Sequence, residues 1–220
     1  MRYLLISVKT IRTPSFPKFV STTTSADSAP SNITIALINP VYTSGGSAVE
    51  ENEWSLVFKN SLALEIEQLI INRGFKVAGP FVDFNEMTFP QKKQSDLLLK
   101  PIIAFIFEGP KAQTVTKTDL GGALLGGSGT KETQVWNGPC ITQGFISFEL
   151  WEPLSEQKMW SKRIDIESRQ LDCSAKSAED FAAAYYEAYA QLLEAAYQAA
   201  LTKADAYFSR EEIELVVKQS

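Results

Sequence analysis

The chain has no histidine, only two cysteines, and no apolar run approaching the roughly 20 residues a membrane-spanning helix needs. Each absence excludes chemistry. Without histidine there is no His general acid or base, no Ser-His or Cys-His nucleophile pair and no His-ligated zinc. Two thiolates cannot complete an all-cysteine zinc site either. A basic excess is missing too: 21 Lys and Arg face 26 Asp and Glu, a net charge of −5. Nucleic-acid binders need a basic stripe to displace counterions, so that class of partner is not expected. Carboxylate- or lysine-based catalysis stays open, but the expectation is a protein that is not an enzyme, with no cofactor and no metal.

The N-terminus also lacks something. Met1 to Val8 carries one positive charge and a short apolar run, which Lys9 and Arg12 then interrupt. A signal peptide wants an unbroken apolar region of about 7–15 residues. A lipoprotein would need a cysteine just after it, and the first cysteine is Cys140. This stretch reads as a short strand or frayed arm; the alternative is that the true export signal lies upstream. Thr13 to Ser31 is rich in Ser, Thr, Pro and Ala, a composition too polar to offset the entropy of ordering. Residues 1–31 are therefore expected to be an arm and linker, and 32–220 one folded domain.

What is present is patterned. With 45% hydrophobic and 21% charged residues the composition is that of a globular domain. Ile33 to Ile38 is a mainly apolar run ending at Asn39-Pro40, as a buried strand would. Thr43 to Ser47 reads as a loop. From Val49 to Arg73, Trp54, Phe58, Leu62, Ile66, Leu69 and Ile70 recur every three or four residues and predict an amphipathic helix. Glu50, Glu51 and Glu53 favour its N-terminus, and Gly74 suits its C-cap. Phe75 to Ala78 reads as a strand stopped by Gly79-Pro80. Phe84 to Ser95 is left as a short helix or an irregular crossover. Leu97 to Phe107 is a strand interrupted at Lys100-Pro101, which implies an edge, a bulge or a split.

The second half follows with a strand over Ala112 to Thr118, a glycine-rich loop over Gly121 to Gly129, and a hairpin. Ile141 to Trp151 forms its first arm and Glu152 to Gln157 its turn. On the return, Trp160, Ile164 and Ile166 alternate with Ser161, Arg163, Asp165 and Glu167. Ser177-x-x-Asp180 resembles a capping box opening a long helix to about Phe208, and a charged tail begins at Arg210. The expected fold class is α+β: a single twisted mixed or antiparallel sheet, with a long N-terminal and a long C-terminal helix packed mainly on one face.

Few side chains offer chemistry. Cys140 and Cys173 lie almost equally far from the hairpin turn on opposite arms, so antiparallel pairing would bring them within disulfide reach. In an oxidising compartment such a bond would add on the order of 3–4 kcal/mol. A register slipped by one residue would instead leave two thiols on opposite faces. The glycine-rich loop is no phosphate cradle, because Gly129-Thr130-Lys131 has the wrong order and precedes strand-like Val135-Trp136. Asp165 and Glu167 share a strand face and could pair as carboxylates, but a solvated charged face explains them as well. Tyr185, Tyr186, Tyr189 and Tyr197 could stack on a sugar, or simply pack at helical spacing.

One set of spacings carries a resemblance. Phe58-Lys59-Asn60, Ala63-Leu64 and Glu67-Gln68 lead into Asn72-Arg73-Gly74-Phe75-Lys76-Val77. Phe89-Pro90-Gln91-Lys92-Lys93 follows, then Gly144-Phe145 and Glu152-Pro153-Leu154-Ser155. From about Asn32 onward the chain resembles the neuraminyllactose-binding haemagglutinin family, the HpaA-like bacterial surface lipoproteins. The resemblance implies a non-enzymatic adhesin in a Gram-negative cell envelope, at the outer membrane or surface, with sialylated glycans or the host surface as partner. The alternative it leaves is an envelope scaffold or flagellar-sheath-associated protein that binds another bacterial protein. Membrane contact would come only through an anchor not visible in this sequence. The family has a Lys- and Arg-rich motif proposed to bind sialic acid where this chain has Lys111 to Lys117. Only Lys111 and Lys117 match it; Ala, Gln and Thr replace basic residues between them. The ligand-binding candidates by resemblance are Lys111, Thr114 and Lys117.

Overall fold

A sheet with helices on one face organises the chain, as seen in a computed structural model that describes residues 12–21, 30–43, 52–118 and 130–219. The first apolar run forms β1 (Thr34–Ile38), whose Ile35, Ala36, Leu37 and Ile38 are all buried. A short β2 (Val41–Tyr42) follows Asn39-Pro40. Helix α1 (Glu53–Asn72) begins where the Asn52 side chain accepts a hydrogen bond from the Ser55 amide at 2.9 Å. Its Phe58, Leu62, Ile66, Leu69 and Ile70 are buried, each apolar side chain worth about 1.5–3 kcal/mol when removed from water. Gly74 then turns the chain at φ 83°, a conformation other residues avoid. Val49 to Glu51, the expected start of this helix, and Ser44 to Ser47 of the preceding loop lie outside the described residues.

Strand β3 (Lys76–Phe81) runs through Gly79-Pro80, where the sequence reads as a stop, because pairing with β1 resumes at Phe81 opposite Ile38. The ambiguous stretch after it becomes a 3-10 turn (Phe84–Glu86) and a one-turn helix α2 (Phe89–Lys93). Strand β4 (Leu97–Glu108) is continuous across Pro101. On its parallel side β1 pairs with Leu97 to Leu99 and β2 with Ile102 and Ile103, so Lys100-Pro101 falls opposite the break between those strands. The proline therefore neither ends nor splits β4; its missing N–H is tolerated because it faces the gap between two partner strands.

Strand β7 (Pro139–Trp151) and strand β8 (Lys158–Asp172) form the hairpin, and the sheet order is β3-β1-β4-β7-β8 with β2 beside β4. β4, β7 and β8 are antiparallel to one another, whereas β1 is parallel to both β3 and β4. Between β4 and β7 the chain makes a separate ribbon of β5 (Ala112–Thr118) and β6 (Thr130–Trp136). The glycine-rich loop of 121–129 lies outside the described residues. Trp136 ties the ribbon back to the body, exchanging backbone hydrogen bonds with Ala175 and stacking on Phe181 at 5.0 Å.

Helix α3 (Ala178–Tyr207) opens at Ser177, whose Oγ accepts from the Asp180 amide at 3.1 Å. The charged tail is a packed helix, α4 (Arg210–Val217), which buries Ile213 and Val216. Helices α1, α3 and α4 cover one sheet face, and Phe58, Phe105, Phe148, Tyr197 and Phe208 lie at the centre of that layer. A smaller cluster of Ala36, Ile38, Met87 and Leu98, with Phe81, Phe84 and Trp151 against it, covers one part of the opposite face. The fold is α+β, with a mixed sheet and its long helices mainly on one side.

Two contacts fasten this body. Cys140 and Cys173 are joined at a Cα separation of 5.6 Å, both fully buried. Cys140 pairs directly with Leu171, so the bond runs diagonally by two residues and both sulfurs stay on one face. Residues 12–21, expected as linker, cross α1 and α3 as an ordered strap. Phe16 packs on Phe58 and Tyr197 at 5.6 and 5.2 Å. The Phe19 amide donates to Glu65 at 3.0 Å, and Arg12 reaches Glu194 at 2.8 Å. Two aromatic rings supply the apolar area that the average composition of the segment conceals. The rest of the expected linker, 22–29, and Met1 to Val8 lie outside the described residues.

Candidate functional site

The three resemblance-derived candidates sit on the β5–β6 ribbon and do not converge. Lys111 stands exposed just before β5, Thr114 is exposed opposite Gln134, and Lys117 pairs with Lys131. At a rise of about 3.3 Å per residue, the backbones of Lys111 and Lys117 are roughly 20 Å apart, too far for one carboxylate to meet both. Trp136 and the hydrogen bonds at its base position the ribbon.

The sheet face turned away from the helices offers a different arrangement. Register aligns Ile102, Ser147 and Arg163 in one row across β4, β7 and β8, and Ala104, Phe145 and Asp165 in the next. One row further, Gly144 meets Phe105 and Ile166, with a register shift between Thr142 and Gly144. A Cβ at Gly144 would lie 2.2 Å from the Ala104 carbonyl oxygen, so only glycine lets these strands approach so closely. Above this point is an open groove of about 370 Å³, lined among others by Thr43, Ile106, Gln143, Phe145, Arg163 and Asp165. The Arg163 guanidinium lies over the Phe145 ring at 3.7 Å and donates through Nε to Asp165 Oδ1 at 2.7 Å. Ring and carboxylate fix its orientation, leaving its two terminal nitrogens without a partner among the described residues.

A second polar cluster lies along the same face. Lys158 pairs with Glu149 at 3.1 Å, the Trp151 indole donates to Glu149 at 3.1 Å, and Lys100 and Lys158 lie 6.0 and 5.7 Å from the Trp151 ring. Here the cation and carboxylate are already matched. Asp165 and Glu167 do not form an enclosed carboxylate pair: both are exposed on β8. Among the described residues no group of three or more Cys, Asp or Glu could hold a metal ion. Of the four tyrosines, Tyr189 and Tyr197 are buried, Tyr185 stacks in the aromatic layer and Tyr186 alone is exposed. Burial pushes the Tyr197 hydroxyl up to about 12, with the charge of Glu65 adding to the effect.

The residues that carried the resemblance build the scaffold. Phe58 is core, Gln91 closes the capping box with Thr88, and Lys92 covers the Phe84 ring at 3.3 Å. Glu152 closes the hairpin turn by accepting from the Leu154 amide at 3.0 Å and from the Ser155 amide. Sequence reasoning put Arg163 on a solvent face but missed its neighbours, since Thr43, Phe145 and Ser168 come together only through strand register.

Fold and groove together define an α+β sheet protein with one face covered by helices and a ligand-sized depression on the other. No family model matches the chain. Two curated proteins of Helicobacter pylori, each named neuraminyllactose-binding hemagglutinin, are 28% and 29% identical to it over 143 residues. Those matches cover 64% of this chain and 52% of each relative, so the chain spans about half the length of the curated relatives it matches. The crystal structure of a neuraminyllactose-binding hemagglutinin homolog from Helicobacter pylori superposes with a TM-score of 0.63 at 17% identity, covering 88% of this chain and 95% of that one. That likeness shows a shared fold. The chain is thus similar in sequence to the neuraminyllactose-binding hemagglutinins over about two-thirds of its length and shares the fold of one of their homologs.

Proposed function

We propose that this chain is a non-enzymatic surface protein of a Gram-negative cell envelope, at the outer membrane, that attaches to sialylated glycans. The observation that carries this reading is the open sheet face, where an oriented arginine, an aromatic ring and hydroxyl-bearing side chains meet in a groove. Aromatic and apolar surface with a few convergent polar groups is the usual makeup of a small-ligand site. The names of its relatives point to the same ligand class. Lys111, Thr114 and Lys117 enter as secondary contacts spread along the ribbon. Attachment through many weak copies gains avidity without strong single contacts. The division into an arm of 1–31 and a domain of 32–220 is part of the proposal, with 12–21 strapped to the domain. Agglutination of erythrocytes by protein-coated beads tests the reading, with loss expected after sialidase treatment. Equal agglutination with and without sialidase, or none at all, refutes it.

A second reading has its own observation. β8 is a 15-residue edge strand that pairs only with β7 among the described residues. Such an edge can accept a partner strand, although Lys162, Arg163, Asp165, Glu167 and Arg169 guard it with charge. An envelope or flagellar-sheath scaffold would use it. Crosslinking from a cysteine placed at Glu167 should then trap one specific envelope protein, and random capture would end that reading.

A further inference from the structure

We propose that the groove beside Arg163 is a subsite for the carboxylate of an acidic, N-acylated sugar; this deepens, and rests on, the glycan-binding reading above. The cations of the molecule differ in what they can offer. Lys158 is paired with Glu149, Lys162 with Glu212 at 3.3 Å, and Arg73 is buried against Asp205. Among the described residues Arg163 has its Nε edge engaged by Asp165 and its plane braced on Phe145. The remaining fork of two terminal nitrogens matches a carboxylate bidentately, a geometry that lysine cannot supply.

The rest of the groove fits the body of a sugar. Ile106 and the Phe145 ring give apolar wall for an acyl methyl or a pyranose face. Gln143, Thr43 and Ser168 line the same space and suit ring hydroxyls, Thr43 as an acceptor since its own hydroxyl donates to the Ile103 carbonyl at 3.4 Å, and Asp165 can accept from one. A volume of about 370 Å³ holds a monosaccharide-sized group, at the lower end of ligand sites. Arg163 and Asp165 nearly cancel in charge, which favours a monoanion rich in hydroxyls over a dianionic phosphate. Gly144 keeps β4 and β7 close beneath it.

The test measures binding of 3′-sialyllactose, its methyl ester and lactose by saturation-transfer NMR and calorimetry. Wild type is expected to prefer the acid over the ester and over lactose. Arg163→Gln should weaken acid binding by about tenfold or more and leave ester binding unchanged, so the acid–ester difference disappears only in that variant. Ser168→Trp, at an exposed position, should block all the sialosides and serves if Arg163→Gln fails to fold. Lys76→Gln, an equal charge change on the opposite edge, should bind as wild type. An acid–ester difference that survives in Arg163→Gln, or full binding by Ser168→Trp, overturns the subsite while leaving the glycan reading intact. Wild type that binds no sialoside overturns both.

Discussion

Reduction of the Cys140–Cys173 bond should lower stability by an amount that follows from chain length. The cysteines are separated by 33 residues, and closing such a loop removes about 12–13 cal/mol/K of entropy from the unfolded chain. At 25 °C this is about 3.5–4 kcal/mol. For a chain of this size, each kcal/mol moves the midpoint by roughly 2–4 °C, so the reduced protein should melt about 7–15 °C below the oxidised one. Both sulfurs are fully buried, so reduction should need partial opening of the β7–β8 end and proceed slowly under native conditions. The assay is urea unfolding of one preparation with and without a phosphine reductant, with intact mass after alkylation to count thiols. The Cys140→Ser/Cys173→Ser double variant is the weaker comparison, because it also buries two new hydroxyls. Midpoints within about 1 kcal/mol of each other would refute the loop-entropy reasoning.

Two further perturbations probe the helix layer. Arg73 and Asp205, 8% and 5% exposed, meet at 3.1 Å, and Ser21 of the strap donates to the same Asp205 oxygen at 2.6 Å. Asp205→Ala should cost about 3–5 kcal/mol in urea unfolding by removing the charge that balances a buried guanidinium, even though Arg73 keeps its hydrogen bond to the main-chain carbonyl of residue 205; a loss under about 1 kcal/mol would contradict this. The hydrogen bond from the Trp160 indole, at 2.8 Å, holds the Glu212 carboxyl below its ordinary value of 4.5, with Lys162 helping and burial opposing. A depressed carboxylate binds its proton more readily in the unfolded state, so its contribution is present above about pH 4.5 and disappears as pH falls through the lower folded value. Glu212→Gln should therefore flatten part of the acid limb of stability read by Trp160 fluorescence, and an unchanged limb would exclude the bond as its cause.

The helices and most strands were legible because their periods are local. Phe58, Leu62, Ile66 and Leu69 announce α1 without knowledge of anything else, and Ser177 with Asp180 announces α3. The passage of β3 through Gly79-Pro80 was not legible, since proline reads locally as a stop and the pairing of Phe81 with Ile38 is a long-range contact. The strap was misjudged because Phe16 and Phe19 are two residues in a polar stretch whose partners, Phe58 and Glu65, come from a helix far along the chain. The groove was hidden for a related reason. Arg163 and Phe145 face each other only after β7 and β8 are in register. The residues that carried the resemblance mark core, caps and turns, so they foretold the architecture and were silent on the ligand.

The ribbon of β5 and β6 stands outside the main sheet and is secured at its root by one tryptophan. Its outward residues, Ala112, Gln113 and Thr116 among them, are exposed, so exchanging them perturbs little that the body depends on. An appendage of this kind can change sequence while the chassis stays the same. Substitutions at Gly144 have no such latitude.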